Sequence, residues 1–100
     1  MNVTIQEQDG KMVASLSGSL NTAVAAATEK AMGPLYEVEG KDIILDCTEL
    51  EYISSAGLRI FLALLQNAEE KGGEVYVKGI NDDIRNVFAI TGFSNIFKFM

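Results

Sequence analysis

The chain has 100 residues, 48% of them hydrophobic and 22% charged, which suits one domain spanning 1–100 that folds unaided. Its net charge is −6, from 14 acids and 8 bases, and the bases are spread singly from Lys11 to Lys98. No basic patch is left for nucleic acid or an anionic membrane.

In chain order, residues 3–7 and 11–17 are β-leaning runs on either side of Asp9-Gly10, the pair that supplies the positive φ angles of a tight hairpin turn. Residues 18–22 break the strand pattern, and Asn21 or Thr22 can cap an Ala-rich helix starting near Ala23. Gly33-Pro34 interrupts that helix, so a kink or two short pieces are expected before Val38. Ile43-Ile44-Leu45 is a continuous apolar run, the pattern of a parallel strand covered by helices on both faces.

A helix is predicted from Ser55 or Ala56 to Lys71, with Leu58, Phe61, Leu62, Leu65 and Ala68 as its inward stripe and Gly72-Gly73 as its stop. Residues 74–78 read as a strand. Asn81-Asp82-Asp83 then opens a helix with Ile84, Val87, Phe88 and Thr91 inward and Gly92 at its end. Residues 96–99 form a last strand or tail. The order β-β-α-β-α-β-α-β predicts an α/β domain: a mixed four- to five-stranded sheet with an N-terminal β-hairpin and right-handed crossover helices.

The composition also removes chemistry. There is no His or Trp, and Cys47 is the only cysteine, so zinc sites built on Cys and His, His-based triads and internal disulfides are all excluded. Cys47 reads as a buried thiol at a strand end. No glycine-rich phosphate loop and no GxSxG elbow is present. Asp46, Glu49 and Glu51 can in principle offer oxygen ligands to Mg²⁺, but solvated strand-end acids account for them equally, and no metal or cofactor is expected. The longest apolar run, Ile60 to Leu65, is six residues against the ~20 a membrane helix needs. The amino terminus has no secretory pattern, so the cytoplasm is expected.

The segment from Asp46 to Leu62 places Ser54 and Ser55 at a helix start, where the first N–H groups lack intrahelical partners and the dipole favours negative charge. One reading is plain N-capping by either serine. The other is a phosphate on one hydroxyl, held by the same N–H groups. Sequence physics leaves both open.

Tyr52-Ile53-Ser54-Ser55-Ala56-Gly57-Leu58, after a strand ending at Asp46, resembles the signature of the bacterial STAS domain, anti-sigma-factor antagonist type. Gly18-Ser19-Leu20-Asn21, Gly72-Gly73 and Thr91-Gly92-Phe93 match further landmarks of that family. The resemblance implies a non-enzymatic STAS-like domain that binds an anti-sigma factor with serine kinase activity and is switched off by phosphorylation of Ser55. Transcription is thereby regulated by partner switching, and a phosphatase is implied to restore the serine.

Under this resemblance Asn21, Thr22, Ser54, Ala56, Gly57, Leu58 and Arg59 form the phospho-loop and partner-binding surface, with Leu58 and Arg59 bordering the contact. A phosphate on Ser55 is expected to fall beside Asp46, Glu49 and Glu51. Asn21 stands where antagonists usually carry Asp, which keeps a cap and removes a charge. Many family members continue past the position of Met100 into a further helix. Apolar surface near Phe93, Ile96, Phe97 and Phe99 is therefore expected to be open for a homodimer or partner contact. The alternative role within the family is an unphosphorylated scaffold subunit of a lipid-transport or stress-signalling assembly.

Overall fold

In the computed structural model, which describes residues 1–100, Asp9 and Gly10 both take left-handed backbone angles, φ 52° and 78°. That is the geometry of a type I′ turn, whose twist matches that of paired strands. It joins β1 (Asn2–Gln8) to β2 (Lys11–Leu20) in an antiparallel hairpin paired from Asn2–Ser17 to Gln8–Lys11. Asn21 then caps α1 (Thr22–Ala31), its side chain accepting from the Val24 N–H at 3.2 Å. Beyond Met32 the chain tightens into a 3-10 segment, Gly33–Glu37. Proline is tolerated at a helix start but not inside one, so the break gives two pieces rather than a kink.

Next come β3 (Ile43–Ile53), α2 (Ser55–Glu70), β4 (Val75–Lys78), α3 (Asp82–Thr91), a 3-10 turn at Phe93–Asn95 and β5 (Lys98–Phe99). The sheet order is β1-β2-β3-β4-β5, with only β1 antiparallel to its neighbour. Gly72, at φ 82°, ends α2 in the left-handed turn that its missing Cβ permits. The Gly73 N–H then returns to the Ala68 carbonyl at 2.9 Å.

The register separates the two faces of the sheet. Ala14, Leu45 and Val77 form one cross-strand row and are buried under the helices. The next row, Ser15, Asp46 and Lys78, points the other way, with Ser15 and Lys78 exposed. Helices therefore cover one face only, contrary to the expectation drawn from Ile43-Ile44-Leu45. Ile44 is half-buried because its row neighbours, Val13 and Tyr76, form a partly open strip. Three apolar residues in a row are too few to outweigh the alternation of the flanking polar positions.

The inward side of α2 is Gly57, Leu58, Ile60, Phe61, Leu64, Leu65 and Ala68. Leu62, expected inside, is half-buried, and Ile60 and Leu64 take inner places. The cause is that α2 packs on α1 and the 3-10 segment as well as on the sheet, which widens its buried arc. On α3, Ile84 and Phe88 are buried and Val87 is half-buried, but Thr91 is exposed, its hydroxyl donating back to the Val87 carbonyl at 2.8 Å. Phe97 is buried rather than open: its ring stacks edge-on against Phe61 and Phe88, with centroids 6.4 and 5.7 Å away. Phe93 is half-buried beside them, and Ile96 and Phe99 remain exposed.

Candidate functional site

Because β2 and β3 are parallel neighbours, the helices that follow them start at the same edge of the sheet. Leu20 pairs with Ile53 at the ends of the two strands, and the Ser54 N–H donates to the Leu20 carbonyl at 2.9 Å. Asn21, the cap of α1, and Ser54, the cap of α2, thus begin their helices side by side.

The two serines take different roles. Ser54 has extended backbone angles (φ −90°, ψ 171°), is 7% exposed, and its Oγ accepts from the Gly57 N–H at 3.2 Å. It satisfies one of the orphan donors of the first turn. Ser55 is the first residue of α2 and is exposed. The cap is therefore in place without Ser55, whose hydroxyl faces solvent at the positive end of the helix.

Gly57 and Leu58 hold this turn from beneath. A Cβ on Gly57 would lie 2.7 Å from Leu20 Cγ and 2.8 Å from Ile53 Cγ1, so glycine is what lets α2 start so close to both strand ends. Leu58 is 4% exposed, and its N–H donates to the Ser54 carbonyl at 2.9 Å. It belongs to the core and does not border a surface, which corrects the expectation for that residue. The surface around Ser55 consists of Asn21, Thr22 and Arg59, all exposed, with Ala56 half-buried. Arg59 follows Ser55 by one helical turn, on the same side of α2.

The acids expected beside the serine do not gather there: Asp46 and Glu49 line a cavity on the open face of the sheet. Asp46 lies seven strand residues before Ile53, ~20 Å along β3, and its row faces away from the helices. Its Oδ1 accepts from the Thr48 hydroxyl at 2.6 Å and the Thr48 N–H at 3.1 Å. The hydroxyl bond is the main cause of a carboxyl held below its usual range, with Lys78 adding to the effect. Glu51, near the strand end, is the member of the three that approaches the turn. No three metal-ligating side chains converge anywhere in the chain. Cys47 is fully buried, and that burial, followed by the nearby Asp46 charge, pushes its thiol up to about 12.

One residue does more than its sequence context suggests. Asn81 caps α3 through Oδ1, accepting from the Ile84 N–H at 2.8 Å. Its Nδ2 donates toward the Leu50 and Glu51 carbonyls, each at 3.4 Å, and so fastens α3 to the end of β3. The capping pattern was readable in the sequence; the target of the second amide group depends on the fold.

A mixed sheet covered by helices on one face, with an exposed hydroxyl at the start of its second helix, defines a class, and the STAS domain model matches residues 2–100. The chain belongs to the STAS domain family. Among its relatives, a Bordetella bronchiseptica protein assigned as anti-sigma factor antagonist BtrV is 34% identical over 97 residues, covering 97% of this chain and 84% of the relative. The anti-sigma-B factor antagonist of Staphylococcus aureus is 25% identical over 96 residues, covering 96% of this chain and 89% of its own length. Of solved structures, an anti-sigma factor antagonist from Mycobacterium paratuberculosis superposes with a TM-score of 0.83 at 25% identity, covering 98% of this chain and 83% of that one. SpoIIAA of Bacillus, solved in phosphorylated form, shares the fold at a TM-score of 0.73 and 16% identity, covering 99% of this chain and 91% of its own. No helix is long and apolar enough to cross a membrane.

Proposed function

We propose that this chain is an anti-sigma-factor antagonist, with Ser55 as its switch. With Ser55 free, the surface formed by Asn21, Thr22, Ala56 and Arg59 binds an anti-sigma factor that is also a serine kinase, which frees the sigma factor for transcription. The kinase transfers the γ-phosphoryl group of ATP to Ser55 Oγ; the hydroxyl proton leaves, ADP departs, and the antagonist is released. A phosphatase restores the serine by hydrolysis.

The observation that carries this reading is the division of labour between the two serines: Ser54 is buried as the cap while Ser55 is exposed. Modifying Ser55 therefore adds about −1.5 to −2 of charge without removing the cap, at a helix end that favours negative charge. The fold tolerates the phosphate, and a partner pressed against it does not, because desolvation and repulsion arise only in the complex. The relatives named as antagonists support the same role. Incubating the chain with its anti-sigma factor and ATP, then mapping phosphate by mass spectrometry, tests the assignment. A single phosphate on Ser55 is expected; phosphate on Ser54 or Thr22 instead would contradict it.

A further inference from the structure

An apolar groove of about 260 Å³ opens between the end of β3 and α3, with Ile53 and Ile84 buried at its base and Tyr52 and Val87 along its sides. Tyr52 is 52% exposed. Ile90, one turn beyond Val87 on α3, is 85% exposed, more than any other large hydrophobic residue of the chain. The Asn81 bonds to the Leu50 and Glu51 carbonyls hold the two sides together, so the groove is formed before anything enters it.

Its rim is acidic. Glu51 and Asp83 line it, and Asp82 stands beside them, all exposed. None is neutralised, because the two ion pairs of the chain are Glu7–Lys41 and Glu74–Lys98, and Arg85, the only base on α3, pairs with neither aspartate. An apolar base with an acidic rim suits an apolar anchor flanked by cations. A second copy of the chain fits poorly, since a twofold contact sets the patch against itself and brings Glu51, Asp82 and Asp83 onto the same acids. Anionic lipid and nucleic acid are repelled for the same reason.

We propose that this groove is a second docking surface, which takes the apolar side of an amphipathic helix from a protein partner whose flanking residues are Lys or Arg. The groove lies next to the Ser55 turn, because Tyr52 and Ile53 immediately precede Ser54, but its other wall is α3 and the contact needs no phosphate.

The ¹⁵N-labelled full chain, titrated with a helical peptide bearing Leu at helix-spaced positions and Lys on both flanks, tests this by NMR. Shifts are expected at residues 51–53 and 83–90. Affinity should fall about tenfold or more in Ile90→Asp and in the pair Glu51→Lys/Asp83→Lys. It should stay within about twofold in Glu69→Lys/Glu70→Lys, which changes net charge equally at the far end of α2. All these side chains are exposed, so the variants should fold, and their amide spectra verify it. Four results would overturn the proposal: no shifts up to ~1 mM peptide, an equal loss in the control pair, binding as tight by a Glu-flanked peptide, or the same resonances moving on dilution of the protein alone, which would assign the groove to a second copy.

Discussion

Replacing Gly57 by alanine sets two effects of opposite sign against each other. In an unobstructed helix the change gains up to ~1 kcal/mol, because glycine is a poor helix former. Here the new Cβ would sit 2.7 and 2.9 Å from two carbons of Leu20 and 2.8 Å from Ile53 Cγ1, roughly 1 Å inside normal carbon contact distance. Leu20 is 0% and Ile53 2% exposed, so neither can swing into solvent. Overpacking of this kind costs ~1–3 kcal/mol, and with both Leu20 and Ile53 fixed the cost falls toward the upper end, which outweighs the propensity gain and leaves a net loss of up to about 2 kcal/mol. For a domain of this size that is a fall in Tm of roughly 4–8 °C per kcal/mol. Urea titration should give a lower midpoint at unchanged slope. Amide shifts should appear at Asn21 and Ser54, the residues that follow Leu20 and Ile53. Equal or higher stability in Gly57→Ala would refute the packing argument.

Two further tests address the core. Leu64→Ala should cost ~2–5 kcal/mol by opening a cavity, whereas Leu62→Ala, on the half-buried side of α2, should cost less than about half as much; equal losses in urea titrations would mean that the helix is rotated from its described position. Cys47 gives a pH dependence of defined sign. Its folded thiol is raised from 9.0 to about 12, so it adds no slope below pH 9; above that the unfolded chain loses the proton first. Stability is then lost as pH rises from 9 towards 12, by at most ~1.4 kcal/mol per pH unit. Subtracting the Cys47→Ala curve should isolate this slope, and parallel curves would count against the burial of the thiol.

Much of the fold was legible where one residue type has one local job. Asp9-Gly10 dictated the hairpin, Gly33-Pro34 the break after α1, Asn81 the cap of α3, and Gly72 and Gly92 the helix ends, while the cap of α1 was narrowed to Asn21 or Thr22 and falls on Asn21. What stayed hidden depends on contacts between segments distant in sequence. Either serine could have capped α2 from sequence alone; the bond from the Ser54 N–H to the Leu20 carbonyl draws Ser54 inward and leaves Ser55 outside. The exchange of Leu62 for Leu64 arose because α2 has neighbours on two sides, which a single-stripe pattern does not encode. Gly57 was readable as part of a motif, while the reason for it lies in Leu20 and Ile53. Of the acids grouped by sequence around Asp46, Asp46 and Glu49 stay together along a cavity on the open face of the sheet, while Glu51, further along the extended strand, lies in the groove beside Asp83.

The switch itself rests on charge at one exposed hydroxyl, and calorimetric titration of Ser55→Ala and Ser55→Asp against the cognate anti-sigma factor tests it most directly. Ser55→Ala leaves the Ser54 cap intact and adds no charge, so it should bind like the unmodified protein. Ser55→Asp puts a carboxylate at the contact, where ~3 kcal/mol of desolvation and repulsion weakens the complex by more than about a hundredfold. Its Tm should not fall, because a helix N-terminus favours negative charge. Affinities that match for the two variants, or a loss in Ser55→Asp that tracks a drop in Tm, would contradict the switch.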